Sequence, residues 1–136
     1  MSETNKNTVR AIFEKFWNRA DWSLAETLFH PDHVGHIAHL PAGLQGVESI
    51  QHFAALLHAL HPDLAFSVED QIGEGDRVAT RWTARSSHFE AGTVVTGISI
   101  HRLAEGRVAE TWDNWDAIGL LQDSGPAVFE KIGLSL

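Results

Sequence analysis

A carboxyl group near the C-terminus is the first candidate for chemistry in this sequence. Asp116 ends a run from Val108 in which alternate positions carry Glu110, Trp112 and Asn114. If the run is a β-strand, these side chains share one face, because successive side chains point to opposite sides. A carboxyl group beside indoles can be desolvated, which raises its pKa and suits it to general acid/base catalysis. An aspartate at a strand end can also cap the following turn, and this stretch alone favours the cap.

Histidines are the second candidates, because the chain has nine of them. Four recur at every third position: His30, His33, His36 and His39. That repeat suggests a metal site, but on a strand from Val34 to Leu40 the side chain of His36 faces away from those of His33 and His39. The four imidazoles therefore cannot converge from that strand alone, and the sequence predicts no metal site.

His101 and Arg81 lie within β-rich runs and could contact a substrate. His101 shares a predicted face with Ser99, while Ile98 and Ile100 share the opposite face. Alternation does not decide whether the polar face lines a cavity or meets water. Arg81 could orient a carbonyl oxygen, although an arginine on an antiparallel strand is also a common surface partner across strands.

The first half of the chain, which must position these residues, is predicted to be mainly helical. Apolar residues recur at spacings of three and four from Asn7 to Asn18 and from Val47 to Leu60, which predicts two amphipathic helices. A shorter helix from Leu24 to Phe29 is predicted between them, with Asp21 as its cap and Pro31 as its stop. A strand and a loop precede the last of these helices: Val34 to Leu40 and Pro41 to Gly46.

The second half of the chain is predicted to be β-structure. Four β-rich runs are separated by short glycine-containing turns: Leu64 to Ile72, Arg77 to Phe89, Thr93 to Leu103 and Arg107 to Trp115. Short turns join antiparallel neighbours. The segment from Pro126 to Ile132 is predicted to be a C-terminal helix or tail. Helices followed by strands predict an α+β fold in which three helices pack on one face of a curved antiparallel sheet.

Composition excludes several classes of function. A length of 136 residues predicts a single domain, 1–136. The net charge of -8 without a Lys/Arg cluster argues against nucleic acid as a partner, and no apolar run is long enough to span a membrane. The absence of cysteine excludes disulfides, thiol catalysis and Cys-ligated zinc. The polar first ten residues lack the apolar core of a signal peptide, so we expect a cytoplasmic protein.

The order of elements resembles the nuclear transport factor two-like superfamily. Within it, the chain is similar to the SnoaL-like polyketide cyclase family over nearly its whole length. The matching stretches are His36 with Leu40-Pro41-Ala42-Gly43 and Gly46; Pro62-Asp63-Leu64 with Glu69-Asp70; Gly75-Asp76-Arg77-Val78-Ala79 with Arg81-Trp82-Thr83 and His88; and Arg102, Gly106-Arg107-Val108, Glu110, Trp112, Asp116 and Gly119-Leu120-Leu121-Gln122.

The resemblance implies a cone-shaped, barrel-like fold with a pocket between helices and sheet, and a homodimer formed through the sheet. It implies that Asp116 is the general acid/base of an aldol cyclisation, or of a related proton transfer beside a carbonyl, without metal or organic cofactor. His36 and His101 are the candidates for the hydrogen-bond donor to an enolate or for orientation of the substrate, and His101 is the second catalytic candidate. The expected ligand is a small apolar or aromatic carbonyl or ester compound. The expected substrate-binding residues are His36, His88, Arg81 and Trp112, of which Trp112 would wall the pocket.

Two departures from the family pattern bear on function. The crossing from Phe89 to Thr93 is shorter than in many relatives, which predicts a different pocket rim. The chain has no tyrosine, which removes the Tyr/Asp oxyanion hole of ketosteroid isomerases on the same fold. The alternative function is a non-catalytic homodimeric module that binds a small ligand. Hydration of an epoxide ranks last, because it needs a second carboxylate and Asp113 is predicted to face away from Asp116.

Overall fold

A computed structural model of the chain describes residues 2–37, 40–89 and 94–116. The helical elements are α1 (Ser2–Ala11), which continues as a π-helix (Ile12–Trp17), a 3-10 turn (Trp22–Leu24), α2 (Ala25–Leu28) and α3 (Gly46–Leu60). The α2 helix ends earlier than predicted, because the chain is already extended at Phe29 and enters the first strand two residues before Pro31. The helix predicted from Pro126 to Ile132 lies outside the described residues.

The strands form one six-stranded sheet in the order β2-β1-β6-β5-β4-β3. They are β1 (Phe29–Ile37), β2 (Leu40–Gln45), β3 (Ala65–Glu74), β4 (Arg77–Arg85), β5 (Val95–Ala104) and β6 (Arg107–Trp115). The pairing of β1 with β6 is parallel and the other pairings are antiparallel. The predicted α+β fold of helices on a curved sheet is confirmed, but the predicted loop from Pro41 to Gly46 is wrong, because β2 occupies most of it.

The core lies between the helices and the inner face of the sheet. Its most buried side chains come from α1 and the π-helix (Val9, Ile12, Phe13, Phe16), from α3 (Ala54, Leu57) and from the strands (Val78, Val95, Val108). The apolar positions of the helices therefore face the sheet, as their spacing predicts. Among the described residues, no helix combines the length and the apolar character needed to cross a membrane.

A bulge in β6 determines which residues of that strand face the core. Glu105 and Gly106 make a two-residue turn with positive φ angles of 56° and 80°, the geometry that suits a tight hairpin. Next to the turn Leu103 pairs with Val108, but one step further Arg102 pairs with Glu110. One residue of β6 is left unpaired at this point, and such an extra residue reverses the faces of all that follow it.

Candidate functional site

A cavity of about 70 Å³ lies between the helices and the inner face of the sheet. Its wall is mainly aromatic and aliphatic, and its polar groups come from β5 and β6. The lining residues are Ile12, Phe13, Trp17, Phe29, Ile37, Ile50, Phe53, Leu57, Phe66, Trp82, Ser99, His101, Thr111, Asp113 and Trp115. An apolar cavity with a few polar groups on one wall is the usual form of a small-molecule site.

Asp113 supplies the carboxyl group of this cavity. It pairs with Ser99 across β5 and β6, and the Ser99 hydroxyl donates to Asp113 Oδ1 over 2.5 Å. Removal from water raises the pKa of the Asp113 carboxyl to about 6, and the hydrogen bond from Ser99 opposes this rise without cancelling it. A carboxyl with such a pKa is present in both protonation states near neutral pH, as a general acid/base requires.

Two buried histidines lie on the inner face of the sheet, as Asp113 does. His101 lines the cavity beside the ring of Phe13, with the ring centroids 6.0 Å apart. His33 lies in β1 and its Nε2 is 2.9 Å from the Thr111 hydroxyl. Burial lowers the pKa of His101 to about 3 and that of His33 to about 4. Both imidazoles are therefore neutral at physiological pH, so each presents one N–H donor and one acceptor nitrogen.

Three buried polar atoms near the cavity have no hydrogen-bond partner within the described part of the chain: His33 Nδ1, His101 Nδ1 and Trp115 Nε1. Trp115 and His101 both line the cavity. A buried polar atom without a partner costs about 1–3 kcal/mol. This side of the cavity therefore offers unused hydrogen-bonding capacity to a polar ligand.

Of the candidate catalytic and substrate-binding residues, all within the described part of the chain, His101 lines the cavity. Asp116 follows β6 with an exposed side chain, and its backbone N–H donates to the Thr96 carbonyl over 3.0 Å. Arg81 is exposed on β4. His88 is exposed with its Nδ1 3.9 Å from a carboxylate oxygen of Asp63. The roles expected for these residues stay predictions.

The predicted position of Trp112 in the pocket wall is wrong. Trp112 lies on the outer face of the sheet, where its ring stacks on His36 at a centroid distance of 5.5 Å. The Nε2 atom of His36 is 2.7 Å from the carboxylate of Glu110 on the same face. Without the bulge, a two-residue turn would pair Ser99 with Trp112; with it, Ser99 pairs with Asp113. The bulge thus brings Asp113 into the cavity and leaves Trp112 outside.

The residues that sequence reasoning missed are Asp113, Thr111, Trp115 and Trp82. The sequence indicates a polar face only on β5, where Ser99 and His101 alternate with apolar residues. This strand lies beside the strands that carry the missed residues. Register alone decides which face of β6 lies opposite them, and the position of a bulge is not visible in a pattern of alternation.

Within residues 2–37, 40–89 and 94–116, no group of three or more His, Asp or Glu side chains is placed to hold a metal ion. His33 is fully buried, whereas His36 is exposed on the outer face. These two histidines therefore point in opposite directions, as the alternation along a strand requires.

The sequence matches the SnoaL-like polyketide cyclase family over residues 7–124. The chain belongs to this family. Its fold is similar to that of IdmH from Streptomyces antibioticus, with 27% sequence identity, a TM-score of 0.76 and coverage of 89% of this chain and 98% of IdmH. No curated protein matches the sequence.

Two more distant structures share the fold of this SnoaL-like chain. A SnoaL-like protein from Jannaschia sp. CCS1 is 23% identical, with a TM-score of 0.77 and coverage of 92% of this chain and 94% of that one. TerC, crystallised with polyporic acid, is 18% identical, with a TM-score of 0.74 and coverage of 88% and 97%. At these identities the likeness concerns the fold alone, whereas the family match supports a cyclase-type enzyme.

Proposed function

We propose that this chain is a small-molecule enzyme of the SnoaL-like cyclase type in which Asp113 is the general acid/base. The observation that carries the proposal is a carboxyl group inside an apolar cavity, with its pKa raised to about 6 by burial. In its ionised form, Asp113 removes a proton from a carbon beside a carbonyl group. The C–H electron pair then forms an enolate, which attacks a second carbonyl carbon in an aldol cyclisation or takes a proton back.

The enolate oxygen needs hydrogen-bond donors, because negative charge develops there in the transition state. Trp115 Nε1 is a buried donor without a partner in the described part of the chain, and it lines the same cavity as Asp113. His101 is a second donor and acts as a neutral imidazole, since burial lowers its pKa to about 3. The proposed step uses these side chains alone and requires no cofactor.

The cavity favours a neutral apolar or aromatic carbonyl or ester ligand. Its described lining contains no lysine or arginine that could bind a carboxylate, and Asp113 would repel an anion once ionised. Aromatic rings from the π-helix, α3 and the sheet form much of the wall, and such surfaces pack well against planar ligands. TerC was crystallised with polyporic acid, so one protein of this fold has been found together with a small molecule.

Replacement of Asp113 by Asn tests the role of the carboxyl group, and Asp116→Asn is the matched control. The probe is 2-tetralone, a neutral aryl ketone whose exchange of α-protons for deuterium in D2O is followed by proton NMR. We expect Asp113→Asn to lower the protein-catalysed exchange by about 10²- to 10⁴-fold, the usual contribution of a general base. Exchange that persists in Asp113→Asn and disappears in Asp116→Asn would assign the role to Asp116 instead.

The alternative is a module that binds a ligand without turnover. It is supported by the same cavity and by its unpartnered buried atoms, which a ligand could satisfy without reacting. Trp17, Trp82 and Trp115 line the cavity, so binding of 2-tetralone should change tryptophan fluorescence. Saturable binding together with exchange no faster than in buffer would support this alternative and contradict the enzymatic proposal.

The outer face of the sheet supports a homodimer. One row of mainly apolar side chains crosses five strands and ends at His36, because Ile72 pairs with Ala79, Ala79 with Ile100, Ile100 with Trp112, and Trp112 with His36. Ile72 is 69% exposed and Ile100 is 38% exposed. Large apolar side chains that are exposed on one face of a sheet commonly mark an interface. We propose that a second copy of the chain covers this row.

A further inference from the structure

A chain of two hydrogen bonds leads from β4 to the carboxyl group of Asp113. The indole Nε1–H of Trp82 donates to Ser99 Oγ over 2.9 Å, and the Ser99 hydroxyl donates to Asp113 Oδ1 over 2.5 Å. Trp82 and Ser99 are both buried, with 5% and 1% of their surfaces exposed. Water therefore has little access to compete for the bond between Trp82 and Ser99.

The direction of this chain follows from the chemistry of its first member. An indole nitrogen can donate a hydrogen bond but cannot accept one, so Ser99 Oγ must be the acceptor from Trp82. The single hydroxyl proton of Ser99 is then free to point at Asp113 Oδ1. Oδ1 accepts this bond in both protonation states of the carboxyl group, so the proton that Asp113 gains or loses resides on Oδ2.

The position of the Trp82 indole is fixed independently of its hydrogen bond. Gly97 pairs with Trp82 on the neighbouring strand, and a Cβ atom at Gly97 would collide with the indole ring. The same Cβ would also lie 2.8 Å from the carbonyl oxygen of Asn114. On its other side, the Trp82 ring packs against Phe66 with centroids 5.2 Å apart. The absent side chain of Gly97 thus leaves the space that the indole occupies.

We propose that Trp82 and Ser99 are positioning residues that hold Asp113 so that Oδ2 is its proton-transferring oxygen. The inference rests on the proposed role of Asp113 as acid/base. In the forward step the substrate C–H bond breaks, its electron pair remains on the substrate as the enolate, and the proton is transferred to Oδ2. A carboxylate free to exchange its two oxygens would place the base at varying distances from the substrate, which lowers the rate.

The test compares Trp82→Phe with Trp17→Phe. Both substitutions replace an indole of the cavity wall by a phenyl ring, but only the first removes the donor to Ser99. In Trp82→Phe the Ser99 hydroxyl can turn and accept a bond from protonated Asp113, so the neutral form gains a partner and the carboxyl pKa rises. Ser99→Ala removes the hydrogen bond to the carboxylate and should also raise the pKa of Asp113. Ser99→Thr keeps a hydroxyl group and should leave this pKa near the wild-type value.

The pKa is measured without substrate, from the carbon NMR signal of Asp113 in protein labelled at the aspartate carboxyl carbon, with Asp113→Asn identifying the signal. His101 is the other titratable residue among the described lining residues, and burial holds its pKa near 3, away from the carboxyl titration near 6. In the 2-tetralone exchange assay, we expect Trp82→Phe to lower kcat on the order of tenfold to a hundredfold with a smaller change in KM.

An Asp113 titration that is unchanged in both Trp82→Phe and Ser99→Ala would overturn the inference. An equal pKa rise in Trp17→Phe would also overturn it, because loss of an indole from the wall would then be sufficient. If Trp82→Phe does not fold, the pair Ser99→Ala and Ser99→Thr still tests the bond from Ser99 to Asp113, because only Ser99→Ala removes the hydroxyl group. Full exchange activity in Asp113→Asn would refute the proposed function instead, and it would leave the NMR result unaffected.

Discussion

Ionisation of Asp113 should make the native protein less stable, and Asp113→Asn should remove this effect. The carboxyl pKa is 3.8 in an unperturbed chain and about 6 in the folded protein. Between these pH values the native state holds a proton that the unfolded state has released, so raising the pH disfavours folding. The asparagine side chain does not titrate, and its oxygen can still accept the hydrogen bond from Ser99.

The size of the effect follows from the two pKa values. A rise of the pKa from 3.8 to about 6 lowers the free energy of unfolding by at most about 3 kcal/mol. The full loss applies above pH 6, and there is no loss below pH 3.8. Asp113→Asn should therefore be more stable than the wild type at pH 8, by up to about 3 kcal/mol or about 10 °C in Tm. At pH 4 the difference should vanish. His33 and His101 also bind protons in this range when the chain is unfolded, but their contributions are common to both proteins.

Urea unfolding of both proteins at intervals between pH 4 and pH 8 measures this difference directly. Asp116→Asn serves as the control, and its stability relative to the wild type should not follow the same curve. A difference between Asp113→Asn and the wild type that is independent of pH, or that grows as the pH falls, would refute the assignment of a raised pKa to Asp113.

Three further predictions concern the histidine, the indole and the outer face. His101→Gln should reduce the fall in the free energy of unfolding between pH 7 and pH 4, which urea unfolding at the two pH values measures. The reason is that the native His101 stays neutral down to about pH 3, whereas the unfolded one binds a proton below about pH 6.5. Gly97→Ala should lower the free energy of unfolding by about 1–3 kcal/mol, since its Cβ would collide with Trp82. Ile72→Asp, at the most exposed residue of the outer-face row, should convert a dimer to a monomer in light scattering, whereas the same charge at the exposed Ala55 on α3 should not.

Much of the fold could be predicted from the spacing of apolar residues, because a helix or strand that buries one face must carry apolar residues at regular intervals. The last strand has the predicted bounds, Arg107–Trp115, and α3 begins one residue before its predicted start. The strand Leu40–Gln45 was missed, because Pro41 and Gly43 indicate a loop and a short edge strand tolerates both. The parallel pairing of β1 with β6 was missed as well, since alternation within one strand says nothing about its neighbours.

The site could be predicted only in part, for a similar reason. Ser99 and His101 were placed on one face of β5 by alternation, and that face does line the cavity. The resemblance places Asp116 in the pocket and alternation turns Asp113 away from it, whereas the bulge gives the inner face to Asp113. A bulge depends on the local fit between two strands, and no residue type in this hairpin indicates its position. A shift of one residue is then enough to exchange the candidate carboxyl group.

The inner face of the sheet buries several polar groups among its apolar ones, and this favours a ligand that carries an oxygen atom. The inner face buries Ser99, His101 and Thr111, while Ile98 on the outer face is 52% exposed. Burial of polar groups disfavours folding unless they find partners, and Trp115 Nε1 and His101 Nδ1 have none within the described residues. A ligand oxygen that accepts from Trp115 would offset part of this cost. Binding of 2-tetralone should therefore raise Tm more than binding of naphthalene, which has similar size and no oxygen, and equal shifts would contradict this argument.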